Sequence, residues 1–321
     1  MQSFQLLSQK FSLYFEHWHF PAEPVSLYQP NEYFLKIGGK RIRPVLCMMG
    51  NELFDEMKPD AIHVGAAIEL FHNFTLIHDD IMDKAPLRRG METVHAKFGP
   101  NTAILAGDVM LVAAYEELNK ISLELLRPVL TLFNRTAREV CEGQQYDMDY
   151  ESREVVSQAE YLRMIELKTS VAIAASLQAG SIVGGAGERN QHLVYEFGRK
   201  LGIAFQVQDD YLDAFGDPTK FGKQIGGDIL SNKKTFLLIH AMETCDAEQL
   251  KELHLLIEGT DENKVDRMLQ LYRDCKVDEW ALELKNRYLN EALQHLEDVA
   301  VLSRRKEPLK ELASFLISRD H

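Results

Sequence analysis

Two apolar stretches, Ala61 to Ile77 and Leu193 to Val207, set the strongest limit on how this chain folds. Neither offers the broad polar face that a helix lying on a protein surface turns to water. Both therefore read as central helices of an all-α bundle, within longer helical patterns over Ala61 to Asp83 and Gln191 to Asp213. Helical periodicity dominates elsewhere too, and alternating runs that would mark strands are scarce. Further helices are predicted over Arg43 to Phe54, Thr102 to Asn119, Leu126 to Met148, Glu160 to Ile182 and Lys233 to Glu243, with more after Asp261. Pro21, Pro24, Pro30, Pro59, Pro86, Pro100 and Pro218 fall where helices should begin or end. No Pro/Gly/Ser-rich linker and no repeat divides the 321 residues, so a single domain, 1–321, is expected.

Both apolar stretches run into acid. The first reaches Asp79-Asp80-Ile81-Met82-Asp83 and the second Asp209-Asp210-Tyr211-Leu212-Asp213. Helical residues four apart share a face, so Asp79 and Asp83 point the same way, and His72 lies further back on that stripe. Gln206 extends the second stripe in the same manner. Burying such a stripe is costly unless something compensates. Carboxylate oxygens are hard ligands suited to Mg²⁺, which completes its octahedron with water and substrate phosphate oxygens. Two helices of this kind facing each other would hold several metal ions around a diphosphate. The plain alternative is an acidic, solvated helix end. Acids there oppose the macrodipole, however, and the uncommon arrangement occurs twice. Neither cluster offers the thiolates or paired histidines that zinc prefers.

The net charge of −13 argues against a nucleic-acid partner. Basic residues are nonetheless grouped. The segment Ile37 to Pro44 reads IGGKRIRP, in which Gly38-Gly39 permits close backbone approach beside Lys40, Arg41 and Arg43. Arg88-Arg89-Gly90 follows the first acidic cluster in a loop opened by Pro86. Lys168-Thr169 opens a helix of small residues, and Gly222-Lys223 and Lys233-Lys234 follow the second cluster. Arginine forks bind phosphate bidentately and lysine acts as a mobile point charge. Two diphosphate substrates need two anion sites, one metal-bridged and one purely cationic, and this sequence supplies both kinds. Gly222-Lys223 does not follow a strand in a phosphate-binding loop pattern, which excludes an ATPase reading. Gly184-Gly185-Ala186-Gly187 reads as a helix C-cap and turn.

The four cysteines, Cys47, Cys141, Cys245 and Cys275, are widely spaced and suggest neither a zinc site nor a disulfide framework, which fits a reducing cytoplasm. The N-terminus lacks a long apolar run and a cleavage signal. Val171 to Gly187, the most apolar stretch, is short and interrupted by Ser176, Gln178 and Ser181, and reads as a buried helix rather than a membrane span. A soluble, cytoplasmic protein is expected.

Seven blocks, GGKRIRP, LFHNFTLIHDDIMD, LRRG, GDVM, LKTS, FQVQDDYLD and GKQIGGDILSNKKT, occur in this order between Gly38 and Thr235. In them the chain resembles the trans-isoprenyl diphosphate synthases (polyprenyl synthetases), which include the farnesyl and geranylgeranyl diphosphate synthases. The resemblance implies an all-α, isoprenoid synthase-type bundle around a central cavity, usually a homodimer. It implies Asp79, Asp83 and Asp209 as the principal Mg²⁺ ligands, with Asp80 and Asp213 in support. Arg88, Lys168, Lys223 and Lys233 are the implied contacts of an allylic diphosphate (dimethylallyl, geranyl or farnesyl), with Thr169 and Gln206 at the reacting centre. Lys40, Arg43, His72 and Arg89 are the implied isopentenyl diphosphate site. In the implied reaction the allylic diphosphate ionises, the isopentenyl double bond attacks the resulting cation, and a proton is lost to the released diphosphate. No Ser-His-Asp or Cys-His arrangement asks for a nucleophile role.

Product length turns on Phe74, five residues before Asp79 and so about 7.5 Å along the helix. A ring there can floor the pocket, and Phe71 lies one turn deeper. In the resemblance, long-chain synthases carry a small residue at this place. Farnesyl synthases add a second aromatic or insert two residues into the first acidic motif, and Thr75 with the uninserted DDIMD does neither. Geranylgeranyl diphosphate is the expected product, with farnesyl diphosphate as the alternative. A terpene cyclase would carry a mixed Asn/Ser/Glu second motif in place of DDYLD. A non-catalytic subunit of a heteromeric synthase would be expected to have lost acidic residues, and both motifs are intact.

Overall fold

The computed structural model describes residues 2–216, 226–259 and 262–317. In chain order the elements are α1 (Gln2–Glu16), α2 (Val25–Ile37), α3 (Ile42–Glu52), α4 (Pro59–Met82), β1 (Leu87–Arg88), β2 (Met91–Glu92), α5 (Val94–Phe98) and α6 (Pro100–Leu118). There follow α7 (Leu123–Ser152), α8 (Gln158–Ile165), a π-turn (Glu166–Ser170), α9 (Val171–Val183), α10 (Glu188–Phe215) and α11 (Gly227–Leu230). The last are α12 (Phe236–Thr244), α13 (Ala247–Glu258), α14 (Lys264–Asp274), α15 (Val277–Glu297) and α16 (Ser303–Ile317). The all-α expectation holds, and among the described residues the only sheet is the two-stranded β1–β2 ribbon.

Pro59 and Pro100 stand at helix starts as expected, where a missing N–H costs nothing. Pro30 does not: it lies inside α2, buried, and Pro128 and Pro308 are likewise inside helices. The stretch Glu160 to Ile182, read as one helix, is α8 and α9 joined through the π-turn. The Gly184–Gly187 segment is a C-cap turn: Ala186 N–H donates to Ser181 and Gly185 N–H to Ile182, with Gly185 left-handed (φ 82°).

Backbone contacts divide the chain into two compact units. The first holds residues 1–137, 175–194 and 300–308. Its spine is α4, whose Val64, Ala66, Ala67 and Leu70 are buried, packed against α3 and α6. The N-terminal helix is tied down by buried Glu117, which accepts from Tyr14 Oη (2.7 Å), Trp18 Nε1 (2.8 Å) and Lys120 Nζ (2.5 Å). The second unit holds residues 138–174, 195–299 and 309–321. One of its cores gathers Tyr161, Met164, Ile203, Val207, Phe236 and Leu284.

The other core of that unit brings together two cysteines that look unrelated in sequence. Cys245 and Cys275 follow α12 and α14, and their sulfurs lie 2.7 Å apart. Among the described residues, no helix is long and apolar enough to cross a membrane.

Candidate active site

The first acidic motif forms where α4 ends. Asp83 caps the helix and its N–H donates to the Asp79 carbonyl at 2.8 Å, so the turn is intact and the two carboxylates share a face. Asp83 is exposed and Asp79 partly so, whereas Asp80 is 2% exposed. Asp80 is gripped by Arg88, through Nε at 2.9 Å to Oδ2 and Nη2 at 2.8 Å to Oδ1. Such a two-point grip fixes the plane of the guanidinium as well as its position.

Arg88 is delivered by the small ribbon. Arg89 (φ 52°) and Gly90 (φ 78°) form its two-residue turn, both left-handed, which matches the twist of the paired strands. The loop expected after Pro86 is thus a short paired hairpin. Arg89 turns back onto the glycine pair: a Cβ at Gly39 would come within 2.7 Å of its guanidinium. The close approach expected of Gly38-Gly39 is thus used by an arginine.

Around it lies the cationic group. Arg43 donates through Nη1 to His72 Nε2 at 3.0 Å, which makes that ring nitrogen an acceptor and the imidazole neutral. Burial, then Arg43, Arg89 and Arg88, hold His72 well below its ordinary value. Burial also lowers Arg43, and Arg89 adds to the effect. Lys40 is exposed at the mouth of α3. Beneath them is a residue that sequence reasoning missed. Glu69 is 6% exposed; burial raises its carboxyl, and Arg43, Arg41 and Arg89 pull it back down. It sits three residues before His72, and following the polar stripe one turn further back would have found it.

Below the first motif on α4, Phe74 packs 5.8 Å from Phe71 and 4.7 Å from His78, ring to ring. Phe71 continues to Phe133 at 5.4 Å, so the rings form a row. Thr75 Oγ1 is turned back onto the His72 carbonyl at 2.8 Å.

In the second unit, Lys168 and Thr169 lie in the π-turn, a widened helical turn that is rare and concentrated at functional positions. Two glycines clasp it. A Cβ at Gly143 would meet the Lys168 nitrogen at 2.3 Å, and one at Gly202 would meet Ser170 Cα at 2.7 Å. Glu166 at its start is held by Arg199 and Arg163, each at 2.9 Å. Lys168 Nζ pairs with Asp147 at 2.5 Å, a partner the sequence did not suggest.

The second acidic motif is more deeply built than the first. Asp210 is 5% exposed and accepts from Gln206 Nε2 and from Tyr161 Oη, both at 2.9 Å. Burial pushes its carboxyl up to about 7, against the pull of Gln206 and Lys233. Tyr161 was missed because it is far away in sequence. Asp213 Oδ2 accepts the Asp228 N–H at 2.9 Å and so anchors α11, while Asp209 is partly exposed. Exposed Lys233 lines a narrow pocket with Asp210, Asp213, Asp228 and Thr235. Lys223 lies outside the described residues.

Known proteins share much of this sequence and its fold. The profile of the family described as "Polyprenyl synthetase" matches residues 24–275. A geranylgeranyl pyrophosphate synthase of Geoglobus acetivorans is 40% identical, over 93% of this chain and 92% of its own. A geranylgeranyl diphosphate synthase of Methanosarcina mazei is 37% identical, over 94% and 92%. A crystal structure of a geranylgeranyl pyrophosphate synthase superposes with a TM-score of 0.93 at 41% identity, covering 99% of each chain. The helical frame agrees with these matches, and the chain belongs to the polyprenyl synthetase family.

Proposed function

We propose that this protein is a Mg²⁺-dependent trans-prenyl diphosphate synthase, which condenses isopentenyl diphosphate head to tail with allylic diphosphates and makes geranylgeranyl diphosphate. The observation that carries the reading is the pairing of an intact acidic helix end with a separate cationic group. Asp79 and Asp83 share one face, and Arg43, Arg89 and His72 gather around buried Glu69.

The donor set fits Mg²⁺. Among the described residues no three His, Cys, Asp or Glu side chains converge as a finished metal cage. Mg²⁺ does not require one, since it takes one or two carboxylates and fills the rest with water and phosphate oxygens. Asp79, Asp83 and Asp209 are the residues assigned to Mg²⁺ ions, with Asp80 in support through its grip on Arg88 and Asp213 in support beside Asp209. When bound, the ion supplies positive charge that stabilises departing diphosphate.

The chain's own residues do the remaining work. Arg88, Lys168, Lys223 and Lys233 bind the allylic diphosphate, and Asp80 fixes the Arg88 fork before substrate arrives. Lys40, Arg43 and Arg89 bind isopentenyl diphosphate, and neutral His72 adds a donor without adding to the repulsion between cations. Thr169 and Gln206 border the reacting carbon. Phe74 and Phe71 floor the chain pocket. We read residues 1–321 as one functional domain of a cytoplasmic homodimer. Support for the dimer comes from α6, where Leu105 and Val112 are 55% and 58% exposed and Ile104 and Tyr115 lie on the same stripe.

The test is direct. Purified protein with Mg²⁺, labelled isopentenyl diphosphate and each allylic primer in turn should give products ending at twenty carbons. A stop at fifteen would move the floor and make this a farnesyl synthase. No incorporation from any primer would sink the synthase reading in favour of a non-catalytic subunit.

A further inference from the structure

Cys245 and Cys275 stand outside the proposed chemistry, yet they are placed together. Each directly follows a helix, Cys245 after α12 and Cys275 after α14, so each Cα is held by a regular element. Their sulfurs are 2.7 Å apart, within about 0.7 Å of the roughly 2.0 Å of a disulfide. Both are only half-buried, which leaves a small oxidant able to reach them. The remaining cysteines differ: Cys47 is buried and Cys141 exposed.

We propose that Cys245 and Cys275 are a dithiol modification site, which a low-molecular-weight disulfide converts reversibly into a bridge between α12 and α14. The exchange balances. The Cys275 thiolate attacks one sulfur of the small disulfide, forming a mixed disulfide and releasing one thiolate. Cys245 then gives up its proton and attacks Cys275 Sγ, forming the protein bridge and releasing the second thiol. Two protein thiols are oxidised and one small disulfide is reduced to two thiols. Burial and the neighbouring Cys275 sulfur push the Cys245 thiol up to about 12. The bridge would close a long loop. That loop contains α13 and all of α14, and its α14 part includes Met268 and Tyr272, which line the pocket beside the second acidic motif.

The experiment uses the full chain, incubated with oxidised or reduced glutathione and digested without reduction. Mass spectrometry should find a peptide joining Cys245 to Cys275, lost on adding dithiothreitol. Two of the four thiols should disappear from a thiol count in denaturant. The oxidised protein should unfold at a higher temperature than the reduced one. Cys245→Ser and Cys275→Ser should each abolish the linked peptide and the temperature shift. Glutathione found separately on both cysteines, or both remaining free while Cys141 reacts, would overturn the proposal. None of these readouts depends on prenyl transfer, so the outcome is independent of the proposed function.

Discussion

Asp80 and Asp79 are neighbours in sequence with different surroundings. Asp80 is committed to Arg88, while Asp79 lies on the partly exposed face with Asp83. Asp79→Ala and Asp209→Ala should each lower turnover by on the order of 10²–10³-fold, the usual cost of removing a charge-stabilising group from an active site. Steady-state rates near those of the wild type would break the metal assignment. Phe74→Ala should let the product grow by at least one five-carbon unit, read by chromatography of dephosphorylated products; an unchanged length would make Phe74 a core residue only. His72 gives a pH prediction for stability. Its folded-state value lies well below the ordinary one, so as pH falls below about 6.5 the unfolded chain takes up a proton that the folded chain refuses. Stability should therefore decline on the acid side, by up to about 1.4 kcal/mol per pH unit from this residue. In His72→Asn the acid limb should flatten, measured by urea unfolding across that range. Much of this scale was legible in the sequence, because i, i+4 spacing alone puts Asp79 with Asp83. Glu69 was within reach too, one turn back on the His72 stripe, whereas Asp147 and Tyr161 were not, because each gains its meaning from a partner brought near only by folding.

At the scale of elements, the π-turn depends on what lies either side of it. Gly143 of α7 and Gly202 of α10 let two backbones approach the Lys168–Ser170 segment closely. Gly143→Ala or Gly202→Ala would gain up to about 1 kcal/mol of helix propensity and lose about 1–3 kcal/mol to overpacking. The net expectation is a lower thermal midpoint together with a fall in kcat, since Lys168 and Thr169 move with the backbone. Gly187→Ala, where a Cβ would meet nothing within 4 Å, serves as the neutral control. Most long helices from α3 onward were readable in the sequence to within a few residues because apolar periodicity is a local signal, whereas α1 and α2 were not among the helices expected. The π-turn and the β1–β2 ribbon were not. One is set by packing against two distant glycines, and the other is too short to show an alternating pattern.

At the scale of the molecule, the apolar stripe on α6 is the surface through which two copies are proposed to pair. Val112→Asp should shift the protein toward monomer in light scattering at low micromolar concentration, and a mass equal to that of the wild type would put the interface elsewhere. The net charge of −13 disfavours long-range attraction of diphosphates, so their capture rests on local groups. Those groups must also be tolerated while nothing is bound. Arg41, Arg43 and Arg89 crowd one small volume and would repel one another if left alone. Burial raises the Glu69 carboxyl beneath them, and the three arginines favour its charged form, which would offset their mutual repulsion. The protein can therefore wait in its working shape, and arrival of substrate completes a charge balance that the fold has already half made.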